Sequence, residues 1–94
     1  VLRYIESGKS EGARVAAGGA GLNRPGYFVE PTIFADATND MTIAREEIFG
    51  PVGTVIAYDD VEEAITMAND TKYGLAATIW TRDVSRAHTL ARKV

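Results

Sequence analysis

Glu46-Glu47-Ile48-Phe49-Gly50-Pro51 sets two adjacent carboxylates, a branched apolar residue and an aromatic ring against a Gly-Pro breaker. Proline lacks an N–H and disfavours helical geometry at the residue before it, so the chain must change direction here. The stretch is expected to leave a short helix over residues 40–47, with both acids near its C-terminal end. That end disfavours negative charge by about 0.3 kcal/mol or more, so a purely structural acid is poorly placed there. A carboxylate offers two acceptor oxygens, and an aromatic ring offers a flat apolar face. In an extended exit segment Glu47 and Phe49, two residues apart, point to the same side. Such a pair suits a ribose that carries a ring. The competing reading makes Glu46 and Glu47 solvated surface acids, Phe49 a core plug and Gly50-Pro51 a turn, as such residues are in most small domains.

Other residues able to do chemistry are sparse. There is no cysteine, which removes disulfides, thiolate metal ligands and a cysteine nucleophile together. His88 has no second histidine or cysteine at ligand spacing and reads as a surface or packing residue rather than a metal ligand or general base. Ser7, Ser10 and Ser85 lack a nucleophile-elbow context. Gly18-Gly19-Ala20-Gly21 invites a phosphate-cradle reading. However, the third glycine of a G-x-G-x-x-G fingerprint is replaced by Arg24, and a strand-like segment follows instead of a helix. A flexible, hairpin-like loop is the better expectation.

The elements that must carry these residues follow from spacing. Val1, Leu2 and Ile5 form the apolar face of a helix that Gly8 weakens and Gly12 closes. Residues 13–17 suit a small strand. Residues 27–35 suit a stronger one, interrupted by Pro31 and therefore at an edge or bulged. Residues 52–58 form a β-branched run typical of a strand covered on both faces. Asp59-Asp60 then caps a helix, Asp60 and Glu63 resembling a capping box, with Val61, Ala64, Ile65 and Ala68 as its buried stripe. Residues 75–81 read as the next buried strand, with Trp80 in the core and Tyr27 and Tyr73 half-buried. Asp83 caps a last helix whose inner face is Val84, Ala87, Ala91 and Val94. Strand, helix, strand, helix in this order predicts the α/β class, with a βαβ unit of parallel strands over the second half.

Ninety-four residues allow one domain or part of one, burying roughly 60–70% of the unfolded surface. The 46% hydrophobic and 24% charged fractions are ordinary for a globular chain. The net charge is −3, with both signs mixed, so no basic stripe marks nucleic acid. No apolar run approaches the roughly 18–20 residues of a membrane span, and no secretory signal pattern opens the chain. A cytoplasmic location is the expectation. Helical patterns running into Val1 and Val94 suggest a segment cut from something larger, a single partial domain over 1–94.

Four blocks together carry a resemblance. They are Gly26-Tyr27-Phe28-Val29-Glu30-Pro31-Thr32-Ile33-Phe34, Met41 through Val52, Ala68-Asn69-Asp70-Thr71, and Tyr73-Gly74-Leu75-Ala76-Ala77 followed by Thr81-Arg82-Asp83. In this order and spacing, over essentially the whole chain, they resemble the NAD(P)-dependent aldehyde dehydrogenase superfamily. The resemblance implies a segment of the catalytic domain lying after the nucleophilic cysteine. In that family a cysteine thiolate adds to the aldehyde, hydride passes to NAD or NADP, and water, aided by an upstream glutamate, releases the carboxylic acid. It further implies that Glu47 accepts the nicotinamide-ribose hydroxyls and that Phe49 lies near the nicotinamide end of the cofactor. The intact enzyme would take a small aldehyde and form a homo-oligomer.

The departure is as informative as the match. With no cysteine in the chain, and with the oxyanion asparagine, the hydrolytic glutamate and the dinucleotide-binding domain of the family outside the matching segment, these 94 residues alone are expected to be inactive. The alternative is a non-catalytic interaction module on the same scaffold, associating through exposed sheet edges.

Overall fold

A computed structural model describes all residues 1–94. The chain forms two compact units, Val1–Ala57 and Tyr58–Val94.

In the first unit, α1 (Leu2–Ser10) is closed as the glycine pattern predicts. Gly12 takes φ +101°, the Ala13 N–H bonds the Gly8 carbonyl at 3.0 Å, and the Gly12 N–H bonds that of Lys9 at 3.2 Å. This paired closure satisfies carbonyls that a helix end otherwise leaves open. β1 (Arg14–Ala17) pairs antiparallel with β2 (Thr32–Ala35), with a bulge between Val15 and Ala17. β2 pairs in parallel with β3 (Val52–Thr54), so the sheet order is β1-β2-β3. The crossover joining the parallel strands carries α2 (Thr42–Arg45).

Burial follows this arrangement. Phe34 on β2 and Ile5 on α1 are fully buried, with Ala13, Ala37 and Ile43 beside them. Thr32 and Phe34 point inward while Ile33 points out, the alternation of a strand with one covered face. Gly8 is buried where α1 crosses this core, because a Cβ there would lie 2.8 Å from the Phe34 Cζ and 3.1 Å from the Ile43 Cδ1. Close approach thus explains a glycine that weakens its own helix.

The loop after β1 is hairpin-like. Gly21 bridges Val29, the Leu22 N–H bonds the Phe28 carbonyl at 2.8 Å, and the Glu30 N–H bonds that of Ala20 at 3.0 Å. The Gly19 N–H is taken up by the buried Thr32 hydroxyl at 2.9 Å, and the Gly19 carbonyl accepts from Lys9 Nζ at 2.9 Å. That amide is therefore committed to the protein instead of facing a phosphate.

The second unit consists of α3 (Val61–Asn69) and α4 (Val84–Lys93) with their connections. Both predicted caps form. Asp60 accepts from the Glu63 N–H at 2.9 Å, Glu63 reaches back to the Asp59 N–H at 2.8 Å, and Asp83 accepts from the Arg86 N–H at 3.0 Å. Lys93 joins the helices, its Nζ pairing with Glu62 at 2.8 Å and its carbonyl accepting from Asn69 Nδ2 at 2.8 Å.

The α/β class with a parallel pair is as expected, but the parallel pair lies earlier in the chain than expected. Residues 75–81 form no strand, since the unit 58–94 offers two helices and no strand for them to pair with. Trp80 accordingly stands 93% exposed and Leu75 fully so, where a core was expected. The strand expected over 27–35 contracts to Thr32–Ala35, because Pro31 cannot donate to a ladder, and Tyr27 is fully exposed. The run 52–58 contracts to Val52–Thr54 for a different reason. β2 ends where Asp36 turns away at φ +53°, leaving the Val55 N–H bonded to the Phe34 carbonyl at 2.9 Å and nothing beyond it to pair with. On α4 the half-buried residues are Ala87 and Leu90, while Val84, Ala91 and Val94 are exposed. On α3 the stripe holds for Val61, Ala64 and Ile65 but not for Ala68.

Candidate functional site

The opening motif leaves the helix two residues earlier than the sequence predicts. α2 is a single turn ending at Arg45, and Glu46 is already extended at φ −117° and ψ 151°. Both acids thus stand outside the helix, and the penalty of its C-terminal dipole does not fall on them directly. The reason is local. The single turn is closed by the Ala44 and Arg45 N–H groups on the Met41 carbonyl and by that of Glu46 on the Thr42 carbonyl, each 3.0 Å, and the following apolar residue must reach the core. Ile48 does so, lying half-buried against the Ile43–Phe34 cluster.

Phe49 is not a core plug. It takes φ +58°, the left-handed region, and is 88% exposed. A bulky residue held there is an outlier that its surroundings must impose, and such positions gather at ligand clamps. The imposition comes from both sides. Ile48 is planted in the core. Behind Phe49, the Val52 N–H bonds the Gly50 carbonyl at 2.8 Å, and the Pro51 carbonyl accepts from the Thr32 N–H at 2.8 Å. The left-handed residue replaces the plain alternation expected for an extended exit.

Glu47 and Phe49 nevertheless line one concavity. It is open, holds about 490 Å³, and is lined by Glu46, Glu47 and Phe49 together with Ile43, Val52, Thr54 and Ile56. Within the lining, Thr54 Oγ1 donates to the Ile43 carbonyl at 3.3 Å. An exposed carboxylate, an exposed ring and apolar neighbours can accept hydroxyls at one edge of a ligand while covering its flat part. His88 lies exposed on α4 and is not part of this concavity.

Spacing alone missed the contact that starts α2. Its N-cap, Met41, makes no side-chain capping bond. The Glu11 carboxylate takes that role instead, accepting the Thr42 N–H at 2.9 Å on one oxygen and the Thr42 hydroxyl at 2.7 Å on the other. The available signal was negative: a helix start with no capping side chain of its own needs an acceptor from elsewhere. Ahead of it, Thr38 bonds Asp40 and holds that carboxyl below the usual carboxylate range.

Known proteins with this sequence and shape agree among themselves. A profile of the aldehyde dehydrogenase family matches residues 1–94. A betaine aldehyde dehydrogenase of Brucella anthropi is 57% identical, the match covering 94% of this chain and 19% of the relative. The solved structure of an aldehyde dehydrogenase from Bacillus cereus in complex with NAD+ superposes with a TM-score of 0.95 at 55% identity. It matches 99% of this chain and 19% of its own. The Mycobacterium tuberculosis aldehyde dehydrogenase complexed with NAD+ gives 0.94 at 47% identity, over 99% and 20%. The chain therefore spans about one fifth of the length of the relatives it matches.

Proposed function

The chain belongs to the aldehyde dehydrogenase family, and from that premise we propose that it is a segment of the catalytic domain of an NAD(P)+-dependent enzyme that oxidises an aldehyde to a carboxylic acid. Both compact units belong, in this reading, to that one domain. The observation that carries the proposal is the shared concavity of Glu47 and Phe49, with Phe49 held exposed at positive φ.

The residues present fit such a cofactor. The Glu47 carboxylate has two acceptor oxygens for the neighbouring hydroxyls of the nicotinamide ribose, and hydrogen bonds to an ionised acceptor are the strong ones. Phe49 supplies an apolar face beside them, and Ile43, Val52 and Ile56 add apolar side chains to the same lining. When bound, the cofactor supplies the hydride acceptor. The part played by this chain is to bind and orient, because a hydride acceptor must be held at near-attack distance and angle. NAD+ complexes among the relatives support the cofactor class.

The chain holds no cysteine, so the nucleophile of the reaction lies in the remainder of the enzyme, together with the base that hydrolyses the thioester. The exposed Leu75 and Trp80 are covered there, by strands that pair with residues 75–81. In this reading the intact enzyme is a homo-oligomer with a small-molecule aldehyde as substrate.

In the full-length enzyme, Glu47→Gln is expected to weaken NAD+ binding by about 10- to 100-fold, corresponding to about 1–3 kcal/mol for a charge-assisted pair of bonds. The melting temperature should stay the same, since the side chain is exposed. Calorimetric titration with NAD+ measures it, and unchanged affinity removes Glu47 from the site.

A further inference from the structure

We propose that Glu11 is a positioning residue for the cofactor-ribose contact, acting through Thr42; this rests on the reading of Glu47 given above. α2 is too short to persist on its own, since one helical turn fixes several residues for very few hydrogen bonds. Its own cap residue, Met41, contributes no side-chain capping bond. What holds its start is a carboxylate 31 residues earlier, with both oxygens engaged by the single residue Thr42. The negative charge also stands at the N-terminal end of the turn, where it is favourable.

Glu11 can act as a clamp because its own backbone is fixed. It is the C-cap of α1, its N–H bonded to the Ser7 carbonyl at 2.9 Å, and the paired closing bonds of Gly12 and Ala13 to Lys9 and Gly8 follow directly after it. α1 is in turn seated through Ile5 and Gly8 against Phe34 and Ile43. From Thr42 the turn runs to Arg45, and Glu47 follows two residues later. The far end of the same segment is anchored separately, at Pro51, by the Thr32 N–H. The acceptor residue therefore sits on a short span pinned at one end to the sheet and at the other to α1. Without Glu11 the sheet end remains, and the Thr42 end, which leads into Glu47, loses its polar anchor.

The test uses the full-length enzyme carrying this segment. NAD+ affinity is measured by calorimetry without aldehyde, and amide hydrogen exchange is followed over residues 42–51. Glu11→Ala is made in the parent and in a Glu47→Gln background. The expected result is a loss of affinity of about three- to tenfold in the parent, and of less than about twofold when Glu47 is already Gln. Exchange should quicken at the Thr42, Arg45 and Glu46 amides. Undiminished affinity in Glu11→Ala, beside a weakened Glu47→Gln, overturns the positioning role alone. Equal losses in both backgrounds overturn it too, because a general loss of stability does not depend on Glu47. Unchanged affinity in Glu47→Gln overturns the reading of the site itself. Should Glu11→Ala not fold, Thr42→Val decides the same comparison with a smaller lesion, since it removes the hydroxyl and leaves the N–H.

Discussion

Phe49 shows how one residue's backbone reports its use. Its left-handed conformation costs a non-glycine residue on the order of 1 kcal/mol, and its ring recovers little of this because it faces solvent. Replacing it separates the two contributions. Phe49→Gly relieves the backbone and removes the ring, whereas Phe49→Ala removes the ring and keeps the strain. In the full-length enzyme the glycine variant is expected to be more stable than the alanine variant by about 1 kcal/mol, read by chemical denaturation. Both should bind NAD+ more weakly than the parent. Equal stabilities would mean that the φ of Phe49 is not under strain. The type of residue at 47 and 49 was legible in the sequence as an acceptor beside a ring. The conformation that presents them was not, since it depends on Ile48 reaching a core built from α1 and β2, and on Pro51 bonding Thr32.

At the scale of elements, two glycines on or beside α1 are needed for unlike reasons, and substitution distinguishes them. A Cβ at Gly12 meets nothing within 4 Å, so Gly12→Ala is destabilising only through its backbone, at φ +101°. A Cβ at Gly8 meets the Phe34 ring and Ile43 Cδ1, where the backbone is helical and an alanine by itself would strengthen the helix. Gly8→Ala is expected to cost about 1–3 kcal/mol by overpacking, and Gly12→Ala about 1 kcal/mol. A compensating Phe34→Leu should restore part of the first loss and none of the second. Denaturant midpoints of the four variants check this, and recovery of Gly12→Ala by Phe34→Leu would contradict it. Local signals served the elements well where the cause is local: the Asp60 and Asp83 caps and the Gly12 closure lie where the residues place them. They overreached at strands, whose length is decided by a neighbour. Residues 56–58 and 75–81 have strand-forming composition, but no ladder partner within their units.

For the whole molecule, the exposed Leu75 and Trp80 and the absence of cysteine bear on the same prediction. The 94-residue chain by itself is expected to produce no NADH from aldehyde and NAD+, while the full-length enzyme containing it does so. Absorbance at the nicotinamide band reads both, and turnover by the segment alone would overturn the assignment of the nucleophile to the remainder of the enzyme. No helix in the segment is long and apolar enough to cross a membrane.

The sequence by itself determined the α/β class, the helix caps and closing turns, the breaker at Gly50-Pro51, and the nearness of a carboxylate and a ring at Glu47 and Phe49. Each of these depends on groups within a few residues of one another, so side-chain type and spacing suffice. Only the tertiary structure decided that β2 and β3 are the parallel pair, that the Gly19 amide is spent on Thr32, that Phe49 stands out at positive φ, and that Glu11 holds the start of α2. Those depend on partners 13 to 31 residues apart, brought together by a core whose burial no short window of sequence contains.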